Sequence, residues 1–418
     1  MINSVSMKRY RNAKSSRLVR PVRSVLMTAV ALLCWADAVA DTTQTDTCGR
    51  GSQIIHHIGL DVRGAYVAPA RDAVKRTYIG APEKDAAMSW HLKYSFGYSE
   101  TTRTGRLYPG AYQGIGVGST TFFANNLTGM PVTAYLFQGA PIVRLAKGLT
   151  FDYEWNFGAS FGWKKYNEDS NPINVIVGSP VNAYINLGFM LSYRLDAKWN
   201  LTAGIDLTHY SNGNTALPNP GVNTLGGRVG VTYTLNGDRR TGALADNFEI
   251  EPMKPHLSYD LVVYGAVRKK VADLNGPEEL PGHFGIAGLN FAPMYNFNRF
   301  LRAGVSLDVQ YDESSDIRSY WVEGTYGEEV KFYRPPFFHQ VSWGLSARGE
   351  LVMPIFSINA GMGYNLFGNT DAKNFYQVLA LKIHLARSFF LHVGYQLNSF
   401  KNPNNLMIGF GYRFHDRR

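Results

Sequence analysis

The chain has 418 residues, of which 45% are hydrophobic, 13% aromatic and only 18% charged, and 42 are glycine. The high aromatic content excludes a disordered chain, two cysteines exclude a disulfide scaffold, and no apolar run reaches the 18 residues of a membrane-spanning helix. A glycine- and aromatic-rich β protein remains, which is either soluble or embedded in a membrane as a barrel.

Residues 1–40 have the features of a secretory signal peptide. Seven Lys or Arg precede an apolar core at 25–33, and Ala38 and Ala40 form an A-x-A site, so we expect cleavage after Ala40. Removal of this segment leaves 35 basic and 31 acidic residues, which lowers the formal charge from +10 to +4. The basic balance therefore comes mostly from the export signal, and nucleic acid is not an expected partner.

Alternation of apolar and polar residues with a period of two dominates the rest of the chain. In 149–163 and 181–194 one face is apolar with aromatic residues at its ends, and the other is small, polar or charged. A soluble sandwich also alternates, but long strands with this contrast are typical of a transmembrane β-barrel with lipid outside and a polar lumen. The pattern predicts an all-β, antiparallel transmembrane β-barrel.

In chain order the pattern predicts about 16 strands. The first eight are predicted at 56–68, 89–98, 111–122, 132–145, 149–163, 180–194, 198–211 and 222–235. The second eight are predicted at 256–268, 283–296, 299–313, 337–352, 355–366, 374–386, 388–399 and 405–414. Tight turns mostly follow the even strands and longer connections mostly follow the odd strands, as in outer-membrane barrels with short periplasmic turns and long external loops.

A weak internal repeat relates the two sets of strands. Residues 201–211 (LTAGIDLTHYS) resemble 391–401 (LHVGYQLNSFK), and the pattern at 57–61 returns at 256–260. Two related units can close separately or merge into one barrel of about 16 strands. Merging also leaves no open edge, and of the two arrangements we favour one merged barrel.

The repeat suggests a division of the chain into four parts. They are a signal peptide at 1–40, a first eight-strand unit at 41–235, a linker at 236–255, and a second, degenerate barrel unit at 256–418.

The predicted lipid-facing surface becomes polar at one place. On strand 201–211 the outward face ends in His209 and Ser211, and Asn223 lies on the same face of the next strand. Residues two apart on a strand are about 6.5–7 Å apart at Cα, so the serine hydroxyl can reach the imidazole. A histidine base and a serine nucleophile are the minimum for acyl transfer, and a nucleophile that faces lipid implies a lipid substrate. The alternative interpretation is structural: a histidine at headgroup level and a serine that ends its strand.

The stretch HYSNG at 209–213, followed by LPNPG at 217–221, resembles the lipid A 3-O-deacylase (PagL-type) family of outer-membrane barrels. That family carries an H-x-S-N motif on its penultimate strand, a P-N-x-G element in the next loop and an acid at the start of the last strand. Residues 51–235 as a whole are similar to its longer members, the acyloxyacyl hydrolases, through 111–118 and 152–158, whereas 256–418 fall outside the resemblance except through the repeat.

The resemblance implies an eight-stranded barrel whose external histidine and serine cleave an ester-linked acyl chain from lipid A. His209 would be the general base, Ser211 the nucleophile and Asn219 the oxyanion-hole asparagine. Asn223 aligns with the glutamate of the family. An asparagine can orient an imidazole through its carbonyl oxygen but cannot stabilise the imidazolium by charge, so either the reaction is slowed or a loop acid, Glu168 or Asp169, substitutes.

The second unit has Ser399 and Lys401 at the positions of His209 and Ser211, so we expect it to be structural. No cofactor or metal is expected, because the adjacent His56 and His57 would face opposite sides of a strand.

Two functions follow. The first is an outer-membrane esterase that removes an ester-linked acyl chain from the lipid A of lipopolysaccharide by Ser-His catalysis at the lipid-facing barrel wall. The alternative is a non-catalytic outer-membrane channel or structural barrel derived from a deacylase. The expected partners are lipid A and outer-membrane lipids, and the expected location is the bacterial outer membrane. The acyl position cleaved, the preference for lipid A over phospholipid and the oligomeric state stay open.

Overall fold

A computed structural model describes residues 54–68, 85–123, 125–236, 253–273, 277–324, 327–368, 374–398 and 402–416. The predicted signal peptide, most of the predicted linker, Ser399 and Lys401 lie outside the described residues. The division of the chain at 236–255 therefore stays a prediction. Within the described ranges, no helix has the length and apolar character needed to cross a bilayer.

The fold is all-β, and most of its strands belong to two closed antiparallel barrels of eight strands each. Barrel 1 consists of β1 (Ile54–Ala68), β2 (Ala86–Tyr98), β3 (Tyr112–Thr121), β4 (Val132–Ala146), β5 (Leu149–Phe161), β6 (Val181–Arg194), β7 (Trp199–Ser211) and β8 (Val222–Thr234). Neighbours in sequence pair with each other, and β1 closes the barrel against β8. A short helix, α1 (Arg103–Leu107), lies between β2 and β3.

Barrel 2 is built in the same way, with two added hairpins in its long connections. Its wall consists of β9 (His256–Arg268), β12 (Phe284–Asn296), β13 (Leu301–Asp312), β16 (Val341–Val352), β17 (Phe356–Phe367), β18 (Phe375–His384), β19 (Phe389–Asn398) and β20 (Asn402–Phe414). The hairpins are β10 (Val271–Asp273) with β11 (Pro277–Glu279), and β14 (Arg318–Gly324) with β15 (Gly327–Tyr333). A 3₁₀ turn, Phe337–Gln340, precedes β16, and β9 closes against β20.

The predicted fold class is confirmed, but the preference for one merged barrel was wrong. β8 pairs with β1 from Thr234 opposite His57 to Asn223 opposite Ala68, so its outer edge is fully used within barrel 1. In the same way β20 pairs with β9. Neither barrel leaves a long free edge through which the two walls could merge.

The alternation of side chains along each strand determines which face points outward and which faces the lumen. On β6 the side chains of Leu187, Phe189 and Leu191 are exposed, whereas Tyr184 and Met190 point inward and are buried. Because the lipid phase covers exposed apolar side chains in an outer-membrane barrel, the outward face needs no protein core. The small and polar inward face fills the lumen.

Buried ion pairs occupy the lumen of barrel 1. Asp61 lies 2.6 Å from Arg228, 2.8 Å from Lys93 and 3.3 Å from Arg63. Glu154 lies 3.0 Å from Arg228 and 3.1 Å from Lys93. All five side chains are nearly inaccessible to solvent. Since each acid is shared by at least two cations, the desolvation of each charge is offset by close opposite charges.

Barrel 2 contains a second cluster of buried ion pairs, which again consists of one Asp, one Glu, one Lys and two Arg. Asp260 lies 2.5 Å from Arg302, 2.7 Å from Lys382 and 2.9 Å from Arg413. Glu350 contacts the same three cations at 2.6, 2.6 and 3.1 Å. Asp260 stands where the repeat has Asp61, on the first strand of its barrel. The repeat seen in the sequence therefore corresponds to a shared way of filling a narrow lumen.

The two barrels contact each other through their outward faces. Trp155 on β5 packs edge-on against Phe356 on β17 with ring centroids 5.6 Å apart, within a cluster that includes Leu381 and Ile383. Gln138, on the outward face of β4, is fully buried there and accepts a hydrogen bond of 2.6 Å from the Trp155 indole. Outward residues in this region are thus covered by protein rather than lipid.

The tight turn before β7 is held by the carboxylate of Asp196. Its side chain accepts hydrogen bonds of 2.7 Å from the backbone N–H groups of Trp199 and Lys198. These bonds hold the pKa of the Asp196 carboxyl below its usual range. The turn sets the start of β7, the strand that carries His209 and Ser211.

The cluster in barrel 2 gives a stability prediction. Asp260→Ala leaves three buried cations with Glu350 as their shared acid. We expect the free energy of unfolding, measured by urea titration of the full chain in detergent micelles, to fall by about 3–5 kcal/mol. Glu279→Ala, which removes a half-exposed ion pair with Lys269, is the control and should cost less than about 1 kcal/mol. Equal effects would contradict the role of the cluster.

Candidate active site at the junction of the two barrels

His209 and Ser211 lie at the end of β7, on its outward face. Earlier outward residues of this strand are strongly exposed, with 59% for Ile205 and 54% for Leu207. His209 is half-buried and Ser211 is only 2% exposed. The outward face therefore changes along one strand from a surface open to lipid to a site enclosed by protein.

Strand pairing brings Asn223 to the imidazole. β7 and β8 pair with His209 directly opposite Asn223. The His209 Nδ1 and Asn223 Oδ1 atoms are 2.7 Å apart, and His209 Nε2 lies 2.8 Å from Ser211 Oγ. With the proton on Nδ1 donated to the asparagine carbonyl, the Nε2 lone pair is free to accept the serine hydroxyl proton. The predicted His209, Ser211 and Asn223 thus form one connected set.

The loop acids considered as substitutes are not bonded to the imidazole. Asn223 already occupies the Nδ1 side of His209, and Glu168 and Asp169 are exposed on the loop between β5 and β6. The orienting group at this position is an amide and not a carboxylate.

A glycine lets the loop after β7 approach the imidazole. Gly221 has a φ of +78°, and a Cβ atom there would lie 3.0 Å from His209 Cε1. A side chain would therefore strain the backbone and press on the ring. The sequence motif ends in glycine at the point where the loop passes the His209 imidazole.

Asn219 braces the loop beside the serine. Its Oδ1 accepts a 3.0 Å hydrogen bond from the N–H of Asn212, the residue after Ser211, and its Nδ2 donates one of 3.0 Å to Asn214 Oδ1. The side chain is buried. The oxyanion-hole role implied by the family resemblance stays a prediction, since in this state the amide bonds to the loop itself.

Barrel 2 supplies a residue that sequence reasoning missed. The phenol oxygen of Tyr395 on β19 lies 3.0 Å from Ser211 Oγ, and the Tyr395 ring centroid is 6.2 Å from that of His209. Tyr395 faces outward yet is only 3% exposed. In the repeat it stands where barrel 1 has Ile205. The available signal in the sequence is a hydroxyl on an otherwise apolar strand face, in a unit that the sequence predicts to be structural.

Two more contacts join barrel 2 to the loop after β7. The backbone N–H of Lys269 donates a 2.7 Å hydrogen bond to Asn214 O. A Cβ atom at Gly213 would lie 2.5 Å from Leu406 Cγ, so the two chain segments are in close van der Waals contact. The site is therefore bordered by both barrels.

The adjacent histidines of β1, His56 and His57, contact hydroxyl groups. Across the described ranges, no three His, Cys, Asp or Glu side chains are grouped to hold a metal ion. His56 Nδ1 lies 2.7 Å from Tyr94 OH, and His57 Nδ1 lies 3.0 Å from Thr234 Oγ1. Each of the two adjacent histidines thus has its own hydroxyl partner.

Family models match both halves of the chain. Residues 85–232 match the model for lipid A 3-O-deacylase (PagL), and residues 257–416 match the model for the acyloxyacyl hydrolase C-terminal domain. The chain belongs to the PagL-type lipid A deacylase family. It is thus an ester hydrolase of the general lipid A deacylase kind, with lipid A of lipopolysaccharide as the implied substrate and the bacterial outer membrane as its location.

The expectation that residues 256–418 fall outside the family was wrong. They match a C-terminal domain defined in acyloxyacyl hydrolases. The second barrel is thus a recognised part of PagL-type proteins of this longer form. No curated protein matches the chain.

Solved structures give only remote likenesses. A mutant of the Rh. blastica porin is 9% identical with a TM-score of 0.15, over 86% of this chain and 99% of that one. The COG4313 outer membrane channel from Pseudomonas putida F1 is 11% identical with a TM-score of 0.18, over 89% and 99%. A TodX monoaromatic hydrocarbon channel mutant is 10% identical with a TM-score of 0.19, over 88% and 89%. TM-scores this low carry no argument about the deacylase.

The close approach of Gly213 to barrel 2 gives a second prediction. Gly213→Ala combines a backbone φ of +64° with a clash on Leu406, whereas Gly162→Ala has a φ of +84° and no atom within 4 Å. We expect Gly213→Ala to cost about 1–3 kcal/mol more than Gly162→Ala in urea unfolding. In a Leu406→Ala background that excess should disappear. An excess that persists there would mean that the two segments are not in contact.

Proposed function

We propose that this protein removes an ester-linked acyl chain from lipid A by nucleophilic catalysis, with Ser211 as the nucleophile and His209 as the general base. The observation that carries the proposal is the continuous hydrogen-bonded set from Asn223 through His209 to Ser211, with distances of 2.7 and 2.8 Å. A serine within hydrogen-bonding distance of an oriented imidazole is the arrangement that acyl transfer requires.

The reaction proceeds in two halves. Ser211 Oγ bonds to the acyl carbon while its proton passes to His209 Nε2 and the carbonyl electron pair moves onto the oxygen. The tetrahedral intermediate collapses, the ester C–O bond breaks, and His209 returns the proton to the sugar oxygen. In the second half, water gives a proton to His209 and its oxygen attacks the acyl carbon, after which Ser211 is released with its proton and the fatty acid departs.

Asn219 and backbone N–H groups of the loop at 212–221 are proposed as oxyanion donors. The Asn219 amide bonds to Asn214 in the resting site, so this role requires the amide to exchange that partner for the substrate oxygen. A pre-positioned donor at the developing negative charge is often the largest single contribution to such a reaction.

The position of the site favours a lipid substrate that enters from the bilayer. His209 follows Leu207 on the outward face of β7, and Asn223 is followed by the exposed Leu225 on β8. These apolar neighbours offer a surface for an acyl chain beside the polar set. Lipid A carries its ester-linked acyl chains at the depth of the polar headgroup region. An acyl ester at that depth can reach a histidine and a serine at the end of a strand.

The channel alternative is not supported by the lumens. Barrel 1 has a cavity of about 320 Å³ that is lined by Lys93 and Glu154, and these two residues belong to the ion-pair cluster. An eight-stranded barrel is narrow enough for side chains to fill it, and both barrels are filled by charge clusters. The enzyme is the function that these features favour.

The first test of this proposal is the lipid A of cells that express the full chain. We expect wild type to yield lipid A that has lost one acyl mass, and Ser211→Ala and His209→Ala to lower the rate by at least about 10³-fold. The measurement is mass spectrometry of extracted lipid A over time. Ser170→Ala, in an exposed loop, is the matched control and should behave as wild type.

Either variant retaining wild-type acyl release, while folded in the outer membrane, would rule out the Ser-His mechanism. An unchanged lipid A spectrum in wild type would rule out the activity itself in this chain. The mass lost also identifies which acyl chain is removed.

A separate test addresses Asn223. Asn223→Glu adds the negative charge that stabilises the imidazolium, so we expect kcat to rise by about a hundredfold, within the roughly 10⁴-fold that a triad carboxylate can be worth. Asn223→Gln has the same length without the charge and is the control. If the glutamate variant is no faster than wild type, the charge is supplied elsewhere or is not needed.

A further inference from the structure

We propose that Tyr395 is a catalytic residue of the deacylase site, and that its phenol donates a hydrogen bond to the oxyanion formed when Ser211 attacks the ester. The inference rests on the proposed function and extends it, because it makes the site a joint product of the two barrels. Tyr395 is 184 residues from Ser211 in the chain, and its hydroxyl lies 3.0 Å from Ser211 Oγ.

The direction of the hydrogen bonds makes Tyr395 the donor. His209 donates from Nδ1 to the carbonyl oxygen of Asn223, so Nε2 is the acceptor for the serine proton. A serine hydroxyl has one proton to give. In the 3.0 Å contact between the two hydroxyls, the Tyr395 O–H must therefore donate to Ser211 Oγ. Tyr395 then donates to Ser211, Ser211 donates to His209, and His209 donates to Asn223.

The burial of Tyr395 supports a specific role for its contact with Ser211. Its counterpart in the repeat, Ile205, is 59% exposed on the outer wall, whereas Tyr395 is 3% exposed. Burial of a hydroxyl without a partner is unfavourable, so an apolar residue would suit a purely packing role better. The phenol is directed at the one reacting oxygen of barrel 1.

The chemistry gives the phenol a second acceptor during turnover. When Oγ bonds to the acyl carbon, its proton goes to His209 and the carbonyl oxygen, two bonds from Oγ, takes up the negative charge. A donor that already contacts Oγ reaches that oxygen by a small rotation. In an enclosed interface, where water does not screen the charge, such a donor is worth more than in solution. The Tyr395 proton stays on the phenol throughout.

The test is Tyr395→Phe in the full chain, which keeps the ring and removes only the hydroxyl. We expect kcat for acyl release from lipid A to fall by about 10²–10³-fold, the usual effect of losing one oxyanion donor, with KM changed less than about threefold because substrate is bound before the charge forms. Tyr412→Phe, an exposed outward tyrosine of β20, is the control and should retain wild-type kcat.

Folding is checked by heat-modifiable mobility in gel electrophoresis and by urea unfolding. A merely structural Tyr395 would lower the unfolding midpoint or raise KM while kcat stays near wild type, and that result would overturn the proposal. Wild-type kcat and KM in the phenylalanine variant would overturn it as well.

A second measurement tests the role of Tyr395 independently of the proposed lipid A substrate. A long-chain alkyl fluorophosphonate reacts with an activated serine: Oγ bonds to phosphorus, fluoride leaves, and the serine proton passes to His209. Its P=O oxygen takes the position of the ester oxygen. If wild type labels at Ser211 but releases no acyl chain from lipid A, the proposed substrate is wrong, and slower labelling of Tyr395→Phe still supports the tyrosine. Labelling of Tyr395→Phe at the wild-type rate would overturn its role whatever the substrate.

Discussion

The pairing of every backbone N–H and C=O within the wall is the constraint on which this structure depends. A bilayer offers no water to an open strand edge, so β8 must find a partner and pairs with β1, as β20 pairs with β9. Closure at eight strands makes each lumen narrow. A narrow lumen has to be filled by side chains, and both barrels fill it with shared ion pairs around Asp61 and Asp260. Closure also leaves two apolar outer walls, which are available to contact lipid or each other.

Contact between the two walls changes the character of the site. In a single barrel the outward end of β7 would be open to the membrane, as Ile205 and Leu207 are. Here β19 and β20 cover that end, so Ser211 is buried against Tyr395 and the next glycine packs on Leu406. Electrostatic interactions are stronger at such a buried position than at a surface open to water. The second barrel thus encloses the hydrogen-bonded pair of His209 and Ser211 on the first.

Much of the fold was predictable because strand periodicity is a local property. All sixteen wall strands were predicted within a few residues, and the outward positions of His209 and Ser211 follow from counting in twos along β7. The closure of two barrels was not predictable, because one merged barrel and two separate ones require the same alternation. The two hairpins, β10–β11 and β14–β15, have strands of three and seven residues in connections with weak alternation. Tyr395 was missed because its partner is 184 residues away, and periodicity carries no information about which outer faces meet.

The ion pairs in each lumen also have a consequence for the seam where the two chain ends of a barrel meet. Asp61 on β1 binds Arg228 on β8, and Asp260 on β9 binds Arg413 on β20, so each first strand is tied to its last strand by charge. A slip of one residue at the seam would turn these side chains outward, at a cost of roughly 2–4 kcal/mol for each arginine in mid-membrane. The clusters therefore disfavour a one-residue slip of the final strand against the first.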